Sequence, residues 1–233
     1  MIRACFLVFL LSSPAYAQGI QSARFTEPTG RYGHHPMGPT VSDHGALELT
    51  LDDGTRRLIR LSNSRVFEDN AVRLADVTGD GWFEAVVVES DQNQGARVSV
   101  YGVDGLIAAS PFIGRRNRWF AVSGVGDLDG DGRVEIVAVD RPHLRRTLVI
   151  WRREGERLVP VAEMAGVTNH RFNDADIRGG LRDCGAGSEI ILARADWSGL
   201  VAVQMQDGVL ARRDLGDGAS PERFAQAMAC QIP

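Results

Sequence analysis

Asp127-Leu128-Asp129-Gly130-Asp131-Gly132-Arg133-Val134-Glu135 runs straight into Ile136-Val137-Ala138-Val139-Asp140, and the rest of the chain is read outward from there. Carboxylates fall at the first, third, fifth and ninth places, with Gly132 at the sixth. Calcium is a hard cation that takes six to eight oxygens, so it needs short acids converging on one point. Alternate spacing on a tightly turned backbone aims every second side chain inward, and the sixth-place glycine permits the turn. In a loop of this kind the seventh ligand is a backbone carbonyl. The closing acid comes three places too early for an EF-hand, and an apolar strand follows instead of a helix. Asp-Gly repeats also make ordinary hairpin turns with no ion, which is the competing reading.

The same pattern occurs earlier in the chain, at Asp76-Val77-Thr78-Gly79-Asp80-Gly81-Trp82-Phe83-Glu84, followed by Ala85-Val86-Val87-Val88-Glu89. Thr78 replaces the second acid, so this copy carries one charge fewer and is expected to bind an ion more weakly. A third, decayed copy is expected from Asp176, with Arg178 and Gly180 at ligand places and an insertion carrying Cys184 before Glu189–Ala193. A period near 50 residues with several short strands per unit is a propeller signature.

Asp-x-Asp-x-Asp-Gly-x-x-Glu entering an apolar strand resembles the FG-GAP (VCBS-type) repeat of integrin α-subunit propellers and many bacterial secreted proteins. The resemblance covers about residues 64 to 215 and is specific at the two loops. It implies an all-β fold, a small β-propeller whose blades carry structural calcium between their first two strands. The ligands it implies are Asp127, Asp129, Asp131, the Arg133 carbonyl and Glu135, followed by Asp76, Asp80 and Glu84.

The first 17 residues read as a secretory leader, with Arg3, an apolar core from Phe6 to Leu11, and Ala15-Tyr16-Ala17 before a cleavage point. The core is too short to span a bilayer, and no later segment is apolar enough. A soluble periplasmic or secreted protein is expected, without membrane insertion. The formal charge of −4 gives no reason to expect nucleic acid. All 26 basic residues are arginine and none is lysine. Codon composition accounts for this; selection of planar guanidinium forks for carboxylate or phosphate is the sharper alternative. After the leader, Cys184 and Cys230 remain. An even count in an oxidising compartment predicts a disulfide, against two buried free thiols.

Residues 18–30 are polar and without periodicity, which predicts a flexible lead. The propeller is expected over 31–217. Leu47–Leu51 and Arg57–Leu61 alternate across Asp52-Asp53-Gly54 and read as a hairpin of an irregular first blade. Three further units follow, with strands at 71–75, 83–89, 96–101 and 105–109, then 119–125, 134–140, 147–151 and 157–163, then 174–177, 189–193, 200–204 and 209–213. The second strand of each is apolar throughout, as in a strand buried on both faces. Four blades result, five if the N-terminal stretch holds more strands. In the tail, 218–233, Ser220-Pro221-Glu222 predicts a capped short helix.

No nucleophile elbow, phosphate loop or dinucleotide fingerprint occurs. His34, His35 and His44 fit loop or surface roles. Polar and aromatic clusters precede the first strand of each unit, and a propeller would gather them at one mouth of its channel. Arg118, Trp119, Asn169, His170 and Arg171 are therefore candidates to hold an anionic group. The competing use is to tie blades together, through Arg118 or Arg171 pairing with Glu68 or Asp69. Function is expected to be that of an exported, monomeric binding or interaction module with structural calcium, its partner a protein or an anionic or glycan ligand. The alternative is a hydrolase or lyase acting on an anionic carbohydrate at the mouth.

Overall fold

The computed structural model of the protein describes residues 19–232. The expected leader, residues 1–17, lies outside the described residues. The fold is all-β with one short helix. In chain order the strands are β1 (Ile20–Thr29), β2 (Asp43–Leu51), β3 (Arg56–Arg60), β4 (Arg65–Phe67), β5 (Arg73–Ala75), β6 (Glu84–Asp91), β7 (Gly95–Gly102), β8 (Gly105–Ala109), β9 (Phe120–Gly126), β10 (Glu135–Asp140), β11 (Thr147–Glu154), β12 (Arg157–Ala165), β13 (Val167–Thr168), β14 (Gly180–Asp183), β15 (Ser188–Arg194), β16 (Gly199–Gln206) and β17 (Val209–Asp217). The helix α1 is Pro221–Met228.

Three antiparallel meanders, β5–β8, β9–β12 and β14–β17, repeat one plan. Their second strands, β6, β10 and β15, are buried almost throughout. Alternate residues of each face opposite neighbours. Ala85 and Val87 of β6 pack with Leu47 and Leu49 of the preceding unit and with Phe67 of β4. Val86 and Val88 pack with Phe120, Ile136 and Trp151 of the following one. Val137 and Val139 in turn meet Ile190 and Leu192. The strands read as continuous Val and Ile because both faces are core. Ile191, Ala193, Leu200 and Ala202, on the far face of the fourth unit, are covered by Phe224, Ala227 and Ile232. The described strands form a 12-stranded sheet, β1–β12, in which β2 joins β4 and β8 joins β12, and a 5-stranded sheet, β13–β17, with α1 closing the last face. The Ser220 side chain caps α1 by accepting the Arg223 N–H, with Pro221 at the helix start. Cys184 and Cys230 form the expected disulfide. Among the described residues no helix is long and apolar enough to cross a membrane.

Two expectations are corrected. The stretch expected as a flexible lead, 18–30, is strand β1 over Ile20–Thr29, paired with β2 along its length. A register shift between Ile20 and Ser22 breaks its alternation, which hides the inward Ala23 and Phe25 in a polar sequence. The third copy does not begin at Asp176, and 174–177 is not a strand. Inner strands of the second and fourth units are split, β4 from β5 by Glu68–Val72 and β13 from β14 by Asn169–Gly179. The longer excursion delays the fourth unit's loop to Asp183–Glu189, two residues shorter than its counterpart at Asp127–Glu135. Strands β3 and β17 each pair on one side only, with β2 and β16.

Candidate functional site

The loop between β9 and β10 is shaped by its own acids. Asp127 accepts the N–H groups of Gly130 and Gly132 at 2.8 and 2.9 Å. Gly132 has φ +81°, as Gly81 has φ +90° in the earlier copy, where L side chains are strained. Glu135 Oε2 accepts the Leu128 N–H at 3.0 Å. Glu84 Oε2 accepts the Val77 N–H at 2.8 Å in the same way. Both loops therefore close on a buried glutamate beneath the turn.

One carboxylate oxygen each of Asp127, Asp129 and Glu135 lies within 4.8 Å of the others. Asp129 is the informative member. Its side chain is only 7 % exposed, and its Oδ1 has no hydrogen-bond partner. A buried carboxylate oxygen without a donor is costly, and a hard cation at the convergence point would satisfy it. These residues fit a calcium-type ion. Asp131 stands apart from the trio, with Oδ1 accepting the Arg133 N–H at 2.8 Å. Burial raises the Glu135 pKa, while the Leu128 N–H and the Arg152 guanidinium oppose that rise.

The sequence reading did not single out Arg152, which lies on β11 directly across from Glu135. Its Nη2 is 2.5 Å from Glu135 Oε1, 3.2 Å from Asp131 Oδ2 and 3.6 Å from Asp129 Oδ2. The three closing glutamates differ in this respect. Among the described residues no cationic side chain reaches Glu84, whose pKa is raised by burial and by Asp80 and Asp76. In the fourth unit Glu189 is held by Arg182 at 2.7 Å and Arg213 at 2.5 Å. Burial pushes Glu189 up, but the two guanidiniums outweigh it and hold its pKa below the ordinary range.

Of the residues expected to gather at a channel mouth, Trp119 and His170 come together, while Arg118, Asn169 and Arg171 take other partners. Trp119 donates its Nε1–H to the Glu68 carbonyl at 2.7 Å. Glu68 itself is fully buried and pairs with His34 at 2.7 Å. Asp69 pairs with Arg73 at 2.7 Å, so neither acid uses Arg118 or Arg171. Asn169 donates to the Ala121 carbonyl and to Ser123 Oγ. His170 Nε2 lies 2.8 Å from the Asp174 carbonyl and must carry the proton, so its Nδ1 accepts from His143 Nε2 at 2.9 Å. Trp119 meets both imidazoles, with ring centroids 5.0 Å from His170 and 6.4 Å from His143. Arg118 reaches only a cavity of about 30 Å³ beside His34, Asn117 and His143, room for a water or two. Arg171 turns away and lies over the Trp197 ring at 4.4 Å. The three early histidines separate: His34 joins Glu68, His35 stands 3.8 Å from Asp43, and His44 stacks on Phe25.

Burial and the nearby His170, His34 and Arg146 charges lower the His143 pKa to about 4. An unfolded histidine titrates near 6.5, so between these values the unfolded chain binds the extra proton. The stability from neutral His143 is complete above pH 6.5 and is lost as pH falls toward 4. Asp43, whose pKa burial and Glu68 raise to about 8, works in the opposite sense over the same range, so the test is a difference. Between pH 7.5 and 4.5 the urea midpoint is expected to change less unfavourably in His143→Gln than in the wild type. An equal slope in both proteins would contradict the assignment.

A groove of about 470 Å³ runs beside the acid loop, between Asp127–Gly130 and Asp183–Ser188, with Gln204 and Gln206 on its wall. It is far roomier than the cavity beside Arg118.

No protein-family model and no curated protein matches the chain. Among solved structures, the chain is similar to rhamnogalacturonan lyase YesW, with TM-score 0.44 and 16 % identity over 80 % of this chain and 45 % of that one. The exotype rhamnogalacturonan lyase YesX gives 0.43 at 16 %, over 76 % of this chain and 41 % of that one. Bacillus licheniformis rhamnogalacturonan lyase PL11 gives 0.43 at 15 %, over 76 % and 42 %. The chain spans less than half the length of each of these structures.

Proposed function

We propose that the protein is an exported module of propeller-type blades, with FG-GAP-like loops that bind calcium to hold the blades rigid, and that it works as a monomer by binding a partner. The observation that carries this reading is Asp129 Oδ1, buried and without a donor among converging acids. Export accords with the Cys184–Cys230 bridge, since disulfides persist in oxidising compartments. The blade reading is supported by the repeated meanders and their stacked faces. It is supported also by ties across the axis, where Asn173 N–H donates to the Pro36 carbonyl at 2.9 Å and Asn70 to the Ala175 carbonyl at 3.3 Å. The groove beside the acid loop, with its polar wall, is the surface for a protein or glycan partner.

An ion bound at about a hundred times its Kd stabilises the folded state by about 2.7 kcal/mol. For a domain of this size that is roughly 5 to 10 °C in melting temperature. Chelation is expected to lower the melting temperature by that amount at neutral pH, and Asp129→Ala to remove most of the response. Identical melts with and without chelator would overturn the proposal.

A second reading is a lyase or hydrolase acting on an anionic carbohydrate. The names of the similar solved structures accord with it better than with a binding module. The observation within this chain that favours it is the mouth itself, where His143 has a strongly lowered pKa and contacts His170 close to Arg118. Release of unsaturated products from a uronate polymer, followed by their ultraviolet absorbance and abolished in His143→Gln, would establish it. No product release would leave the binding module.

A further inference from the structure

We infer that Arg152 is a built-in competitor of the ion at the Asp127–Glu135 loop and sets the calcium affinity of that site; the inference rests on the calcium reading above. Arg152 Nε and Nη2 both address Glu135 Oε1, and Nη2 also faces Asp131 and Asp129. Two of these acids, Asp129 and Glu135, belong to the converging trio. An ion drawing on their oxygens and a guanidinium doing the same compete for one set of lone pairs, and their charges repel at that separation. Calcium therefore binds the fraction of molecules in which Arg152 has released the carboxylates, and its apparent affinity falls by that fraction.

The side chain has somewhere to go. A cleft of about 140 Å³ opens beside Arg152, lined by Asp76, Thr78, Gly132, Arg133 and Arg153. Arg152 itself is 15 % exposed at the side chain, at the rim and not deep in the core. The other two copies bracket this one. In the Asp76–Glu84 loop the pairing of Ala85 with Tyr101 sets Gly102 across from Glu84, and glycine supplies no competing charge. In the Asp183–Glu189 loop two arginines hold the closing glutamate, and the acid ladder between Asp183 and Glu189 is gone. The middle loop retains both its acids and a single arginine. It is graded between the other two, so its response to calcium is adjustable through one residue.

Isothermal titration of the purified protein with calcium chloride tests this directly, using wild type, Arg152→Gln, Arg152→Lys and Asp129→Ala. Arg152→Gln is expected to tighten binding at one site about tenfold or more. Arg152→Lys, which keeps the charge, is expected not to tighten it. Asp129→Ala is expected to lose that site. Equal affinity in wild type and Arg152→Gln would overturn the role of Arg152 while leaving the calcium reading intact. Absence of binding heat and of any calcium-dependent melt in every protein would overturn both. If Arg152→Gln needs calcium to fold, its refolding midpoint by circular dichroism is expected below the wild-type Kd, and a midpoint above it overturns the inference.

Discussion

Arg182→Ala is expected to destabilise the protein by about 3–5 kcal/mol, the largest loss from any single side chain considered. Arg182 lies on β14 with its side chain only 2 % exposed. It donates to Glu189 through Nε and Nη2 at 2.8 and 2.7 Å, and through Nη1 to the carbonyls of Ala227 and Ile232. Truncation leaves three things wrong together. Glu189 keeps only Arg213, whose side chain is 49 % exposed and so screened by water. The Ala227 carbonyl, in the last turn of α1, loses a cation placed where the helix dipole favours one. The segment at Ile232 comes loose from the sheet. A loss of this size lowers the melting temperature by roughly 10 °C in a domain of this length. Urea denaturation gives the measurement, and the Arg182→Ala, Glu189→Gln double variant is expected to lose less than the sum of the single changes. A cost below about 1 kcal/mol for Arg182→Ala would show that water replaces the guanidinium freely.

Breaking the Cys184–Cys230 bridge is expected to cost about 4 kcal/mol in the chain-entropy picture, given its span of 46 residues. The measurement is a comparison of the oxidised protein with the Cys184→Ser, Cys230→Ser variant in the same urea series. The bridge and Arg182 secure one object, the tail that covers Ile191, Ala193, Leu200 and Ala202. Their losses should accordingly fall short of additive when combined, because releasing the tail once forfeits the same burial. Dye binding to exposed apolar surface is expected to rise in the double cysteine variant before global unfolding. A variant with an unchanged urea midpoint would show that apolar packing alone retains the tail.

Much of this was legible from the residues. Acids at alternate places around Gly81 and Gly132 located two loops of common shape, because loop conformation there is set by local hydrogen bonds and by glycine. The doubly buried strands were legible for a similar reason, as continuous apolar runs have few other uses. Ser220 and Pro221 marked the start of α1 through capping chemistry that is local in sequence. What escaped notice depends on distant partners. Strand β1 is held by β2, and its bulge disguises the alternation. The Asn169–Gly179 excursion has no periodic signature, so nothing local in the sequence separates Asp176 from the loop's true start at Asp183. Arg152 becomes visible only when the β10–β11 hairpin is in register, which puts it opposite Glu135. Glu68 and Asp69 take His34 and Arg73 as partners in place of Arg118 or Arg171, and His143 lies in a turn that nothing local distinguishes.

The one-sided pairing of β3 and β17 bears on how the protein behaves when crowded. Each presents a free row of main-chain donors and acceptors, the template on which another molecule's strand could zip itself. Arg56, Arg57 and Arg60 stud the first margin; Arg212, Arg213 and Asp214 stud the last. Docking like margins together would press guanidiniums against guanidiniums, a standing deterrent to aggregation.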